Sequence, residues 1–258
     1  MIPYFSFTAI HLGPVTLQVW GLFVALGIAA AVLWAYYSAK KHRLSGEAVL
    51  DMAVGVIFFS FVMARVFYVL FYNPEYFWAH PFDVLKIWQG GASSLGGFIG
   101  AGLAFWFYAR IRKLQWKDLL AYFDVIAPGF WLGWGIGRLG CFMIHDHIGR
   151  LSNCFLAVNL PAGARFDLGL LESVLGLSLF IFSVLLFKKT AVKNPGLLAG
   201  TTIAIYAAIR FCLDFLRATD LLNSDIRYFY LTPAQWGMLA ILTGLTFAYF
   251  RNKISTRI

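Results

Sequence analysis

Arg138 and Arg210 each interrupt a stretch of sequence otherwise apolar enough to cross a lipid bilayer, and no other feature limits the possible folds as much. The first lies in the run 130–142 and the second in the run 203–216. A guanidinium at bilayer depth costs roughly 2.5–3.5 kcal/mol on insertion scales, so such residues face a bundle interior or a polar cavity. Arginine cannot shed its proton to escape that cost. It needs an anionic partner, and its planar fork fits a carboxylate or a phosphate. Asp214 can serve Arg210, whereas no acid shares the stretch that holds Arg138. A lipid phosphate is the candidate partner for Arg138.

Composition supports the same architecture. Of the 258 residues, 60% are hydrophobic and only 13% charged, where a soluble domain carries about a quarter charged residues. Mean hydropathy is +0.74. The apolar runs are long and do not alternate, which favours helices over a β-barrel and predicts an all-α polytopic membrane protein. Seven spans are expected, over 17–37, 49–71, 94–111, 119–142, 168–187, 197–216 and 233–250. The short loops on one side hold thirteen of the twenty-one Lys and Arg residues. That bias puts the N-terminus outside and the C-terminus in the cytoplasm of a multi-pass protein. It also accounts for the net charge of +9 without a nucleic-acid partner. The start of the chain reads as having no removable signal peptide. No internal repeat is seen, and one domain over 1–258 is expected.

The loops assigned to the outer side are longer and aromatic. Segment 72–90 reads as an amphipathic arm along the membrane surface. Segment 143–167 reads as a small irregular or β head, with a turn at 160–164 joining short strands such as 155–158. Cys141, Cys154 and Cys212 form neither a metal-ligand spacing nor a disulfide framework. Cys141 and Cys212, in apolar runs, read as packing residues.

Chemistry-bearing residues cluster late in the chain. Arg210, Asp214 and Arg217 recur at helical spacing and share a face. His145, Asp146 and His147 follow the fourth span; two imidazoles flanking a carboxylate suit general-base work. A metal site is the rival chemical reading there, short of ligands elsewhere in the chain. Glu172 falls in the same layer and can pair with either arginine or orient a histidine. Asp51, Arg65 and Asp124 are also embedded and read as structural, with Asp124 able to meet either of the other two. Glycines crowd 90–100 and 133–140. The pattern Gly135-Ile-Gly-Arg-Leu-Gly140 follows no strand and is not a dinucleotide fingerprint. Two readings of these glycines stay open, close helix packing or backbone approach to a lipid headgroup.

Taken together these residues resemble the prolipoprotein diacylglyceryl transferase family nearly end to end. The resemblance rests on the stretch 12–21, on 64–73 with Trp88-Gln-Gly-Gly91 and Gly96-Gly97, and on Asp124-Val-Ile-Ala-Pro128 followed by Gly137-Arg-Leu-Gly140. It also rests on 209–217 and Gln235. It implies that Arg138 and Arg210 are the essential arginines, with Asp214 and Arg217 beside them. Asp146 and Gly149 then match an acid and a glycine after the signature, and Glu172 a later glutamate. Tyr68, Gly96, Gly97 and Gly140 fall among the implied substrate-binding positions. The chain departs from the family pattern at Leu95, where a histidine is usual, at Cys141 for asparagine, and at Trp20 for tyrosine. Phe166 and Leu171 also replace a histidine and a tyrosine.

The implied reaction takes the diacylglyceryl group of phosphatidylglycerol to the lipobox cysteine of a prolipoprotein signal peptide, in the bacterial cytoplasmic (inner) membrane. Glycerol phosphate leaves, and no cofactor is required. Arg138 and Arg210 hold the phosphate, while Asp146 with His147 or His145 deprotonates the acceptor thiol. The alternatives are a weakened or repurposed lipid-binding relative and a membrane transporter. The transporter predicts matching interrupted spans in two halves, which the sequence lacks.

Overall fold

Each of the seven apolar runs folds into a helix in the computed structural model, which describes residues 1–72, 74–86, 90–190, 194–221 and 224–255. The helices are α1 (Val19–Lys41), α2 (Gly46–Phe71), α4 (Ser94–Ile111), α5 (Trp116–Ile144), α6 (Leu168–Thr190), α7 (Leu197–Leu213) and α8 (Pro233–Ser255). A short α3 (Pro74–Ala79) lies between α2 and α4. Among the described residues five helices, α1, α2, α5, α6 and α7 with its continuation to Leu216, are long and apolar enough to cross a membrane. The chain is a polytopic all-α membrane protein. It divides into two compact units, Tyr36–Tyr122 and Met1–Ala35 with Phe123–Ile258.

In the unit 36–122, α2 and α4 pack through glycine. A Cβ at Gly96 would run into the carbonyl oxygen of Met63, and one at Gly100 into that of Phe59. Such backbone contact is how apolar helices associate where lipid removes the hydrophobic drive. Gly100→Leu is therefore expected to cost about 1–3 kcal/mol or more through overpacking. It should lower the thermal midpoint in detergent, while Gly102→Ala, with open space around its Cβ, should not. Ser45 and Ser93 cap α2 and α4, accepting from the Ala48 and Gly96 amides.

Arg65 is buried, and among the described residues no acid pairs with it. It donates to the carbonyls of Asp83, Val84, Gly90 and Gly91 at 2.8, 2.9, 2.5 and 3.0 Å. Asp51 pairs instead with Arg112 at 2.8 Å. The expected arm over 72–90 is broken into α3 and a 3-10 turn, Pro81–Leu85. Pro81 disfavours helix at His80, whose φ and ψ are −130° and 68°. Residues 73 and 87–89 of that arm, Trp88 and Gln89 among them, lie outside the described residues.

The other unit opens with a hairpin absent from the sequence reading, β1 (Ala9–Leu12) with β2 (Val15–Gln18). Gly13, at φ 60°, supplies the positive dihedral that a two-residue hairpin loop requires. A second sheet, ordered β3 (Ile148–Leu151), β5 (Gly163–Asp167), β4 (Val158–Leu160), follows α5. The turn expected at 160–164 joins β4 to β5, but the strand begins at Val158 rather than at 155, because Ala157 closes a turn onto Cys154.

Glycine also sets the approach of α5 to its neighbours. Added Cβ atoms at Gly27 and Gly133 would each meet the other's carbonyl oxygen at 2.6 Å, and one at Gly135 would meet Leu177 of α6 at 2.8 Å. Packing explains these glycines. Trp131, Leu175 and Leu179 form a core with Trp134, Phe180 and Tyr206 packed against it. Asp124 finds its partners within its own unit. Its buried carboxylate accepts from Gly196 N at 2.7 Å and Ala199 N at 2.8 Å, capping the positive end of α7.

Candidate active site

Both embedded arginines reach the same carboxylate. Glu172, fully buried one turn into α6, takes Arg138 Nε at 3.1 Å on Oε2 and Arg210 Nε at 3.1 Å on Oε1. The acid missing from the Arg138 stretch is thus supplied by another helix, so a lipid phosphate is not needed to balance that charge. The Tyr206 hydroxyl donates to Glu172 Oε2 at 3.3 Å. Tyr206 precedes Arg210 by four residues, so helical spacing alone places it on the same face.

Arg210 is the more enclosed cation. Its Nη1 donates to Asp214 Oδ1 at 2.5 Å, and Thr232 Oγ1 donates to the other oxygen of Asp214. Thr232 begins a capping box at α8: its amide donates to Gln235 Oε1 at 2.9 Å, and the Gln235 amide donates to Thr232 Oγ1 at 3.2 Å. The spacing Thr-x-x-Gln with proline next in line carries that signal in the sequence. Arg138 remains partly open, with 19% of its side chain exposed against 7% for Arg210. Its guanidinium lies over Trp134, 4.8 Å from the ring centroid, and Nη1 donates to Cys141 Sγ at 3.8 Å. Arg217 pairs with Asp225.

The two histidines separate. His145, at φ 52°, is buried with Nδ1 2.7 Å from Asp167 and Nε2 2.8 Å from the Phe5 carbonyl. Both ring nitrogens are committed, so it has no site left to accept a substrate proton. Asp167 gave no sequence signal as its partner, being twenty-two residues away. His147 faces the arginines. Burial, then the charges of Arg138, Arg217 and Arg210, hold its pKa down at about 4, so it is neutral near pH 7. Asp146 Oδ1 lies 3.9 Å from His147 Nε2, and burial raises the Asp146 carboxyl above its usual range. Cys141 is not in apolar surroundings: its sulfur lies beside Asp146, Arg138 and Trp20. Cys212 is exposed.

Of the glycines expected to touch substrate, Gly96, Gly140 and Gly149 are close-packed, whereas a Cβ at Gly97 would meet nothing nearer than Ser60 O at 4.0 Å. A Cβ at Gly140 would meet Phe23 Cβ at 2.7 Å, and one at Gly149 would meet the Leu216 carbonyl at 2.7 Å. Gly149 also bridges Arg217 through the backbone. Tyr68, Gly96 and Gly97 lie in the unit 36–122, where Tyr68 stacks on Tyr72 at 5.5 Å and closes over Gly91.

A polytopic helix bundle in which two arginines share one buried carboxylate, beside a Cys-Asp-His group, defines a membrane protein with a cluster of charged side chains held among its helices. The family model described as prolipoprotein diacylglyceryl transferase matches residues 7–250, and the chain belongs to that family of transferases. A phosphatidylglycerol–prolipoprotein diacylglyceryl transferase of Trichormus variabilis is 29% identical, covering 95% of this chain and 90% of its own length. Transferases of the same name from Brucella canis and Clostridium perfringens are 31% and 29% identical, over 96% and 92% of this chain and 92% and 91% of theirs.

Proposed function

We propose that this chain transfers the diacylglyceryl group of phosphatidylglycerol to the lipobox cysteine thiol of a prolipoprotein. It acts as one transferase domain, with seven spans and its N-terminus outside, in the bacterial inner membrane. The observation that carries the reading is the convergence of Arg138 and Arg210 on Glu172. A phosphodiester headgroup brings one negative charge, and the open edge of Arg138 is the part of the cluster free to meet it. Arg210, enclosed by Glu172 and Asp214, fixes the geometry and adds to the field.

The chemistry is displacement at a glycerol carbon. A sulfur–carbon bond forms as the carbon–oxygen bond to phosphate breaks, and the electron pair leaves on phosphate. Fixed guanidinium groups in a water-poor site stabilise that growing charge. The acceptor thiol has a pKa near about 8.5 when free, so it must lose its proton in the site. Asp146 and the neutral His147 are placed to receive it; His145 serves the fold.

Purified protein incubated with phosphatidylglycerol and a lipobox peptide should release glycerol phosphate and gain a diacylglyceryl thioether on the peptide. A peptide with serine in place of cysteine should give neither. Lipid binding without release would assign the chain to a repurposed, non-catalytic relative.

A further inference from the structure

Cys141, Asp146 and His147 were read from the sequence as a packing residue and two bases, yet the fold gathers them into one group. Their sulfur, oxygen and nitrogen atoms all lie within 4.8 Å of one another. They come from the last turn of α5 and the loop that follows, and His147 passes its carbonyl to the Leu168 amide, which anchors the loop to α6. One thiolate, one carboxylate and one imidazole is a donor set for zinc, and three protein ligands leave the fourth tetrahedral position open, as in catalytic sites.

We propose that Cys141, Asp146 and His147 bind a divalent zinc-class ion whose open position takes the acceptor cysteine as its thiolate. The inference rests on the transfer reading above and changes how the acceptor is ionised. Ligands around tetrahedral zinc sit about 3.3–3.6 Å apart, given bonds of about 2.0–2.3 Å. The 3.9 Å between His147 Nε2 and Asp146 Oδ1 needs a small inward shift, and the group as a whole, gathered within 4.8 Å, must draw in by up to about 1.5 Å to close on the ion. The ion's two charges are met by Cys141 and Asp146, and an incoming thiolate adds one negative charge where Arg138, Arg217 and Arg210 already act on His147. Arg138 already donates to the Cys141 sulfur, as it would to a metal-bound thiolate.

The other carboxylates of the cluster are engaged elsewhere, Glu172 by two arginines and Asp214 by Arg210 and Thr232. A coordinating thiol is deprotonated outright by such an ion. The S–H proton passes to water. The sulfur then forms its bond to the glycerol carbon, and the carbon–oxygen pair leaves on the phosphate beside Arg138. No electron is transferred, and the ion ends as it began.

The test uses the full chain in detergent, stripped with a chelator and titrated with Zn²⁺ and then Co²⁺, without lipid or peptide. About one equivalent should bind, and cobalt should give a thiolate-to-metal charge-transfer band. Cys141→Ser and Asp146→Asn should each lose the band and weaken binding at least tenfold, while Cys154→Ser and Cys212→Ser leave both unchanged. Absence of stoichiometric binding, or a band that survives in Cys141→Ser, overturns the site. Transfer activity separates the two readings. Equal rates with and without metal leave the transferase standing and sink the metal role. Stoichiometric metal with no transfer sinks the transferase and, with it, the acceptor role of the ion.

Discussion

Arg138→Ala should lower kcat/KM for diacylglyceryl transfer by about 10²–10³-fold, the loss typical of removing one preorganised donor to a developing oxyanion. The effect should fall mainly on kcat, because the phosphate gains charge only as the carbon–oxygen bond breaks. Arg138→Lys should recover little. The lysine ammonium is a point charge without the fork that lets one edge hold Glu172 while another faces substrate. Arg138 is the less buried arginine and Glu172 keeps Arg210 when it is lost, so the variant should stay folded, with a thermal midpoint lowered less than in Glu172→Gln. Initial rates of glycerol phosphate release over a phosphatidylglycerol titration measure both constants. Unchanged kcat in Arg138→Ala would remove the phosphate role.

Glu172→Gln should be costly in a different way. Gln keeps the shape of Glu but not its charge, leaving two guanidinium groups in a buried space with Asp214 as the remaining carboxylate beside Arg210. Breaking a buried pair by removing one partner costs about 3–5 kcal/mol. The midpoint in detergent should drop by several degrees, and activity should fall with it. Glu172→Asp should fall in between, because a chain one methylene shorter cannot hold Arg138 and Arg210 together. A double-mutant cycle of Glu172→Gln with Arg138→Ala should show coupling above about 1 kcal/mol, as expected for groups in direct contact. Strict additivity would mean that the carboxylate does not join the two arginines.

The helices were legible because lipid imposes one rule. Every backbone polar group must be satisfied within the span, so apolar length translates directly into helix. The start of α7 and the ends of α4 fell close to expectation for that reason. The hairpin 9–18 was not legible, since exposed four-residue strands carry little periodicity and only Gly13-Pro14 marked the turn. In the site, Arg210 and Asp214 could be paired from spacing within one helix. Glu172 could be placed in the right layer with either arginine as its partner, and it meets both; that it joins them was not legible, because thirty-three residues and a β head separate it from Arg138. Cys141 was misread for a related reason. Its sequence neighbours are apolar, while its spatial neighbours come from a loop whose left-handed turn at His145 (φ 52°) folds Asp146 and His147 back over the helix end.

The Asp124 cap and the Glu172 bridge tie α5 to α7 at two levels. Asp124 and Arg138 are fourteen residues apart on α5, about 21 Å of helix, and the cap and Arg210 are separated by a similar rise along α7. Two rungs so far apart span most of a hydrocarbon layer about 30 Å thick. The pair therefore behaves as a stiff rail that neither twists nor slides without stranding a carboxylate in oil. A two-tailed guest must enter through another wall, and a search for its doorway can begin by striking this one out.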